Sequence, residues 1–373
     1  MIRLFLILLL FLASLLTICM APTYHLWMVA ILVDEFPWIF MLATIALLVW
    51  GIWIDRFQLA GTLIGIVALL FFAVPIIQAY AVSATLRHNL GVDFGGKDSV
   101  LYGDAHPFRW TNMFNFDNGT TFYRTYTYDT ALTLDFYPAQ GSISARPCIV
   151  VIHGGSWSGG DAQQLPELNS VLALQGYNVA CINYRLAPRY QSPAPVQDVA
   201  KALAYLKTHA GGLRIDTTRF VLLGRSAGAQ IALMAAYTLP DIRGVISYYG
   251  PADMVWGWHL PTSKLIMDSR KVMEDYLGGP YEKIPAAFEA SSPIGFVTPR
   301  TVPTLLIHGK KDVLVAYGHS TRLAEKLKEN GVPHYLLTLP WATHGCDYTL
   351  NGPSGQLATY SVEAFLHYIT QVR

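Results

Sequence analysis

The chain has 373 residues, more than one typical domain holds, and its 26 basic and 25 acidic side chains leave a net charge of +1. Hydrophobic residues make up 53% of it and charged residues 14%, too apolar for an ordinary soluble protein. With no basic tract and no acidic tail, nothing points to nucleic acid as a partner. The four cysteines, Cys19, Cys148, Cys181 and Cys346, form no C-x-x-C pair, so no zinc or redox spacing is present.

The apolar excess sits at the front. Residues 2–20, 36–54 and 57–79 are three apolar runs, each close to the ~20 residues a membrane-spanning helix needs. Trp38, Trp50 and Trp53 lie toward the ends of the second run, where indole rings suit a membrane–water interface. Residues 1–80 are therefore expected to form a transmembrane region of about three helices. The first run could instead be a signal peptide, with Arg3 ahead of it, but it lacks a small-x-small cleavage site. Arg3 and Arg56 flank the first and third runs, whereas the loop 22–35 carries Asp34 and Glu35 and no Lys or Arg. The positive-inside rule then places everything after the third helix on the non-cytoplasmic side, with Arg87 and Lys97 pulling the other way.

Residues 81–119 are expected to be a linker; from position 90 they are rich in Gly, Asn and Asp. Residues 120–373 form the second unit. Strands are expected at 121–128 and 131–137, a hairpin across Asp129-Thr130. A continuous apolar strand at 147–152 reads as buried on both faces. Further strands fit 178–183, 220–223, 245–249, 304–307 and 335–339. Helices fit 165–175, 196–209, 229–239, 320–330 and 356–370; the second places Val199, Leu203 and Leu206 on one face. Strands alternating with helices imply an α/β fold with a mainly parallel sheet covered on both faces. Residues 254–296 break the alternation with Trp256, Trp258, Leu260 and Met267. This insertion is either a lid over a site or a surface excursion with its own small core.

The chemistry gathers at Gly224-Arg225-Ser226-Ala227-Gly228, between an apolar strand and a helical run. A G-x-S-x-G turn in that setting lifts the serine hydroxyl clear of the sheet. A serine nucleophile needs a base, and the base an orienting acid. Downstream, Asp312 follows the strand 304–307 and His344 follows the strand 335–339. Both lie at strand ends, where an open α/β sheet carries its site. Asp253 and Asp347 are the rival acids, and His308 reads as a brace of the acid loop; His319, His334 and His367 read as solvated. Upstream, His153-Gly154-Gly155-Ser156-Trp157 follows the strand 147–152. Its consecutive glycines let backbone N–H groups converge on a developing oxyanion, with Ala227 as a further donor. His153 reads as a brace. Trp157, Trp256, Trp258 and Trp341 are candidate pocket walls.

From about residue 121 onward, these motifs resemble an α/β-hydrolase of the hormone-sensitive-lipase-like and feruloyl-esterase-like group. His153-Gly154-Gly155 is similar to its HGG motif, Trp157-Ser158-Gly159-Gly160-Asp161 to its W-x-x-G-D continuation, and Asn183-Tyr184-Arg185-Leu186-Ala187-Pro188 to its YRLAP element. The resemblance implies a carboxylesterase fold and activity, with Ser226, Asp312 and His344 as the triad. It implies oxyanion donors drawn from Gly154, Gly155, Ser156 and Ala227. Ser156 stands where many relatives have a third glycine, and Arg189 where many have Glu. No metal or cofactor is implied.

The expected function is that of a membrane-anchored serine carboxylic ester hydrolase acting on a lipophilic or acylated ester, with the lipid bilayer as its other partner. A membrane-bound isoprenylcysteine methylesterase-like enzyme would combine similar parts. A prolyl-oligopeptidase-like peptidase and a catalytically silent membrane scaffold are the alternatives.

Overall fold

The computed structural model describes residues 1–53, 57–94, 106–115, 119–141 and 144–370. Ile54, at the end of the second apolar run, and Arg56 and Lys97, which entered the orientation argument, lie outside the described residues.

The front of the chain folds into four helices: α1 (Ile2–Ser14), α2 (Tyr24–Glu35), α3 (Pro37–Trp50) and α4 (Gln58–Asp93). Pro37 occupies the first turn of α3. It has no N–H to continue the ladder of α2, and its ring obstructs the preceding turn, so the chain breaks there. The two helices meet at 87°. Among the described residues one helix, α4, is long and apolar enough to cross a membrane, and α2 with α3 would qualify only as one bent pair. α1 has 13 residues, and at 1.5 Å per residue it falls short of a ~30 Å hydrocarbon layer. The expectation of three spanning helices is thus corrected to one candidate span.

The supposed loop 22–35 is the second correction. It is helix α2, with Thr23 accepting a capping hydrogen bond from Leu26 N. Three of the charges used to orient the chain, Arg3, Asp34 and Glu35, are bound inside the protein. Arg3 is buried and donates to Leu47 O at 2.8 Å and to Thr62 Oγ1 at 3.2 Å. Asp34 and Glu35 are buried where α2 meets the second unit: Lys311 Nζ lies 3.5 Å from Asp34, and Glu35 accepts from Ser354 N at 3.2 Å.

That second unit is an eight-stranded sheet. In chain order its elements are β1 (Arg124–Asp129), β2 (Leu132–Tyr137), β3 (Arg146–Ile152), α5 (Glu167–Leu174), β4 (Asn178–Ile182), α6 (Ala194–Thr208), α7 (Ala210–Leu213), β5 (Ile215–Arg225), α8 (Ala227–Thr238), β6 (Ile242–Tyr248), α9 (Met254–His259), α10 (Ser269–Leu277), α11 (Pro285–Ala290), β7 (Thr304–Gly309), α12 (Gly318–Glu329), β8 (His334–Leu339) and α13 (Pro353–Thr370). The strand order is β1-β2-β4-β3-β5-β6-β7-β8, antiparallel from β1 to β4 and parallel from there on.

The pleat explains the continuous apolar runs. Along β3, Cys148, Val150 and Ile152 join the core beneath α6 and α8, while Ile149 and Val151 join the opposite core beneath α5 and α13. Successive side chains point to opposite faces, so a strand covered on both sides needs apolar residues at every position. The second core extends onto α4, whose Ala79, Leu86 and Leu90 are buried in it, with the ring of Phe94 tilted against that of Phe365 at 5.0 Å. The C-terminal half of α4 therefore belongs to the hydrolase-like body. Of the stretch expected as a linker, residues 95–105 and 116–118 lie outside the described ones, and Phe108 and Met113 are buried in this core.

At the centre, β5 passes into α8 by a turn so tight that a Cβ on Gly224 would lie 2.3 Å from Gly228 O, and one on Gly228 2.2 Å from His153 O. Those neighbours are backbone and cannot swing aside. Gly228→Ala is expected to destabilise the fold by about 1–3 kcal/mol, the usual cost of overpacking, read as a lowered midpoint in thermal melts. An unchanged midpoint would contradict the close packing of elbow and β3.

Candidate active site

Ser226 sits at the top of β5, flanked by β3 and β6. Its backbone is at φ 53°, ψ −120°, a region that L-residues avoid. Its N–H donates to Tyr248 O at 2.9 Å, and its carbonyl accepts from Ala229 N at 2.9 Å. This strained pose aims Oγ at the loop after β8, where His344 Nε2 accepts from it at 3.0 Å. His344 Nδ1 in turn donates to Asp312 Oδ2 at 2.7 Å. The structure thus brings the three residues singled out by their order and strand ends into one hydrogen-bonded row.

Asp312 is fully buried and its oxygens are saturated. Oδ1 accepts from the N–H groups of Leu314 and Val315, each at 2.8 Å. Oδ2 accepts from His344 and, at 3.0 Å, from His308 Nε2. Burial opposes its ionisation, but the charge of His344 and the hydrogen bonds from His308 and His344 outweigh it and hold the carboxyl well below the usual range. His308, expected to brace the loop, does so through Val315 O and Ser320 Oγ, and it also contacts the acid directly. The sequence offered no signal for that second role.

The rival acids are engaged elsewhere. Asp253 caps α9 through Trp256 N and pairs with Arg322 at 2.9 Å. Asp347 is buried against Arg225 Nε and Tyr249 Oη, both at 2.5 Å. This pair lies directly behind the elbow, and Tyr249 packs its ring 4.3 Å from that of His344. His319, expected to be solvated, is buried and lines a pocket at Ser226. Desolvation pushes its pKa down to about 3, so it is neutral, and its Nδ1 accepts from Ala252 N and Asp253 N at 3.3 Å.

The loop after β3 meets the elbow from the other side. His153 braces it through Nδ1 and Gly154 O at 2.7 Å and stacks on Tyr184. Gly154, a candidate oxyanion donor, is corrected: its N–H is taken by Gln164 Oε1 at 2.7 Å. Among the described residues, no acceptor is paired with the N–H of Gly155, Ser156 or Ala227. Ser156 has φ 52° and Trp157 φ 58°, so a side chain is carried where glycine would be less strained. Trp157 is stacked 4.4 Å from Tyr276 of α10 and donates to Gln230 at 3.0 Å, joining the insertion 254–296 to this loop. Of the other tryptophans proposed as walls, Trp341 is buried in the core and Trp256 packs on His319.

The tryptophan that does reach the base is Trp27 of α2. Its Nε1 donates to His344 O at 3.0 Å. Lys311, next to Asp312, reaches Leu16 O and Asp34. The apolar helices therefore touch both the base loop and the acid loop. Apolar periodicity alone could not reveal this, because a helix packed on protein and one facing lipid have similar composition. Among the described residues no cluster of His, Cys, Asp or Glu is placed to hold a metal.

A carboxylate with a depressed folded-state pKa contributes stability in full above its unfolded pKa of about 4, and loses it as pH falls through the folded value. Wild type should therefore melt higher than Asp312→Asn at pH 7, and the gap should narrow as pH drops below ~4. A gap independent of pH would contradict the ionised, hydrogen-bonded state of Asp312.

Residues 134–327, just over half of the chain, match the family model described as BD-FAE. Esterase LipQ of Mycobacterium tuberculosis is 27% identical over 60% of this chain and 55% of its own length; Esterase LipC of the same organism is 27% identical over 61% and 59%. The chain thus spans a little over half the length of these relatives. A solved structure titled "Bacterial Heroin Esterase" superposes with a TM-score of 0.59 at 21% identity, over 78% of this chain and 91% of that one; at that identity the likeness concerns the fold. The sheet order, the strand–elbow–helix at its centre and the extent of the match make this chain a member of the BD-FAE family, built on the α/β-hydrolase fold.

Proposed function

We propose that the protein is a serine carboxylic ester hydrolase working through an acyl-enzyme. The observation that carries this reading is the row Ser226 Oγ, His344 Nε2, His344 Nδ1, Asp312 Oδ2, with hydrogen bonds of 3.0 and 2.7 Å. Ser226 Oγ attacks the ester carbonyl and its proton passes to His344 Nε2. Asp312, ionised and immobilised, holds Nδ1–H and so keeps Nε2 free to accept. The oxyanion faces the N–H groups of Gly155, Ser156 and Ala227; a donor of this kind is typically worth about a hundredfold to a thousandfold in rate. When the carbon–oxygen bond breaks, His344 gives its proton to the departing alkoxide. Water then attacks the acyl-enzyme, loses a proton to His344, and Ser226 Oγ leaves with that proton as the carboxylic acid departs. The esterase names of LipQ and LipC support the reaction class. Neither the peptidase nor the silent-scaffold alternative gains support from a specific contact.

We further propose that the helical front end is embedded in a membrane. α4 is the candidate span, and the exposed side chains of α1, α3 and the first half of α4 include Ile2, Phe5, Leu42, Trp50, Leu59 and Leu70. Water gives no reason for so large an apolar surface, whereas lipid does. The charge argument for a non-cytoplasmic catalytic unit no longer applies, since Arg3, Asp34 and Glu35 are bound within the protein. The substrate expected beside a bilayer is a lipophilic or acylated ester.

Ser226→Ala should abolish hydrolysis of p-nitrophenyl acetate, a fall of about 10⁴-fold or more, while the melting midpoint stays near that of wild type. Retained turnover would sink the assignment. After an alkaline carbonate wash of membranes from expressing cells, the protein should remain in the pellet; release to the supernatant would contradict the embedded helices.

A further inference from the structure

Two cavities open on Ser226, and they differ about tenfold in size. The smaller, about 60 Å³, is walled by Trp157, Met254, Leu260, Val272, Met273 and His319, most of them from the insertion 254–296. The larger, about 660 Å³, also contains His344 and is walled on one side by Tyr24, Trp27, Met28, Ile31 and Leu32 of α2. The division between acyl and alcohol follows from proton transfer. The oxygen that leaves must take its proton from His344 Nε2, so it has to sit within hydrogen-bond reach of that atom. The alcohol portion therefore extends into the cavity that holds His344, and the acyl chain into the other. The smaller cavity leaves room for a short acyl group, and the larger one for a long alcohol portion.

The wall made by α2 also indicates where the alcohol comes from. Met28 and Leu32 line the larger cavity and are 49% and 44% exposed, so the cavity opens along an apolar helix flank. At its C-terminal end α2 turns directly into α3, whose Ile39, Leu42 and Ile45 are exposed on the apolar bundle. The wall is fastened rather than loose: Trp27 donates to His344 O, and Asp34 pairs with Lys311. We infer that the substrate is a short-chain acyl ester of a large apolar alcohol, taken up along α2 from the lipid phase. This rests on the ester-hydrolase reading above. The reaction is ordinary hydrolysis: water adds across the acyl–oxygen bond, and the short acid and the long alcohol separate.

Two isomeric esters of equal formula and similar lipophilicity test it: dodecyl acetate, long on the alcohol side, and ethyl dodecanoate, long on the acyl side. Full-length protein in detergent micelles is expected to favour dodecyl acetate by about tenfold or more in kcat/KM, the discrimination a few misplaced methylenes produce. Met28→Trp, which fills the larger cavity, should reduce that ratio, and Met273→Ala, which widens the smaller one, should reduce it by raising turnover of ethyl dodecanoate. Equal rates on the two isomers, or a preference for ethyl dodecanoate, would overturn the inference while p-nitrophenyl acetate is still hydrolysed. Loss of all three activities in the folded wild type would instead overturn the ester-hydrolase reading beneath it. The isomer comparison needs no variant, so a misfolded mutant leaves it decisive.

Discussion

Everything at the site depends on the backbone of Ser226 being held at φ 53°, ψ −120°. A residue in such a region carries about 1–3 kcal/mol of strain and persists only where its surroundings over-determine it. Here they do. β5 is hydrogen-bonded on both sides, Gly224 and Gly228 let the turn close against backbone with no room for a Cβ, and Tyr248 O and Ala229 N fix the peptide groups of Ser226 itself. The close approach of Gly228 to His153 O also sets the position of the next loop. One constraint therefore places both the hydroxyl and the loop of residues 153–157 beside it.

Around that centre the remaining groups are fastened in successive layers. Asp312 has four donors and no freedom to rotate, which fixes the ring of His344. His308 is in turn held by Ser320, and the buried Arg225–Asp347–Tyr249 cluster supports the floor beneath Ser226 and His344. A preorganised arrangement of this kind avoids reorganisation when charge develops. The apolar helices add an unusual layer. Through Trp27 and Lys311 they contact the backbone of the base loop and the side chain next to the acid. In this chain the apolar helix α2 is also a wall of the site.

Much of the sheet was legible because buried parallel strands leave short apolar runs bounded by turn residues. The runs at 147–152, 178–183 and 304–307 became β3, β4 and β7, extended or trimmed by one or two residues. The row of Ser226, Asp312 and His344 was legible from chain order and strand ends. Other features were not. Gln164 reaches back ten positions to occupy the N–H of Gly154, a tertiary contact with no local signature. His319 looked like surface because burial depends on elements far away in sequence. The greatest difference lies in residues 22–35: hydropathy gives the strength of an apolar preference, but not whether lipid or protein satisfies it. The acidic pair at the end of that segment read as an exposed loop, whereas each carboxylate has a specific partner in the hydrolase unit.

The central claim is that Ser226 is the nucleophile, activated by His344. Reaction of the folded wild type with a fluorophosphonate probe, followed by peptide mapping, tests it most directly. The account predicts a single stoichiometric adduct on Ser226, formed much more slowly in His344→Ala. An unlabelled protein, or an adduct on another residue, would contradict it.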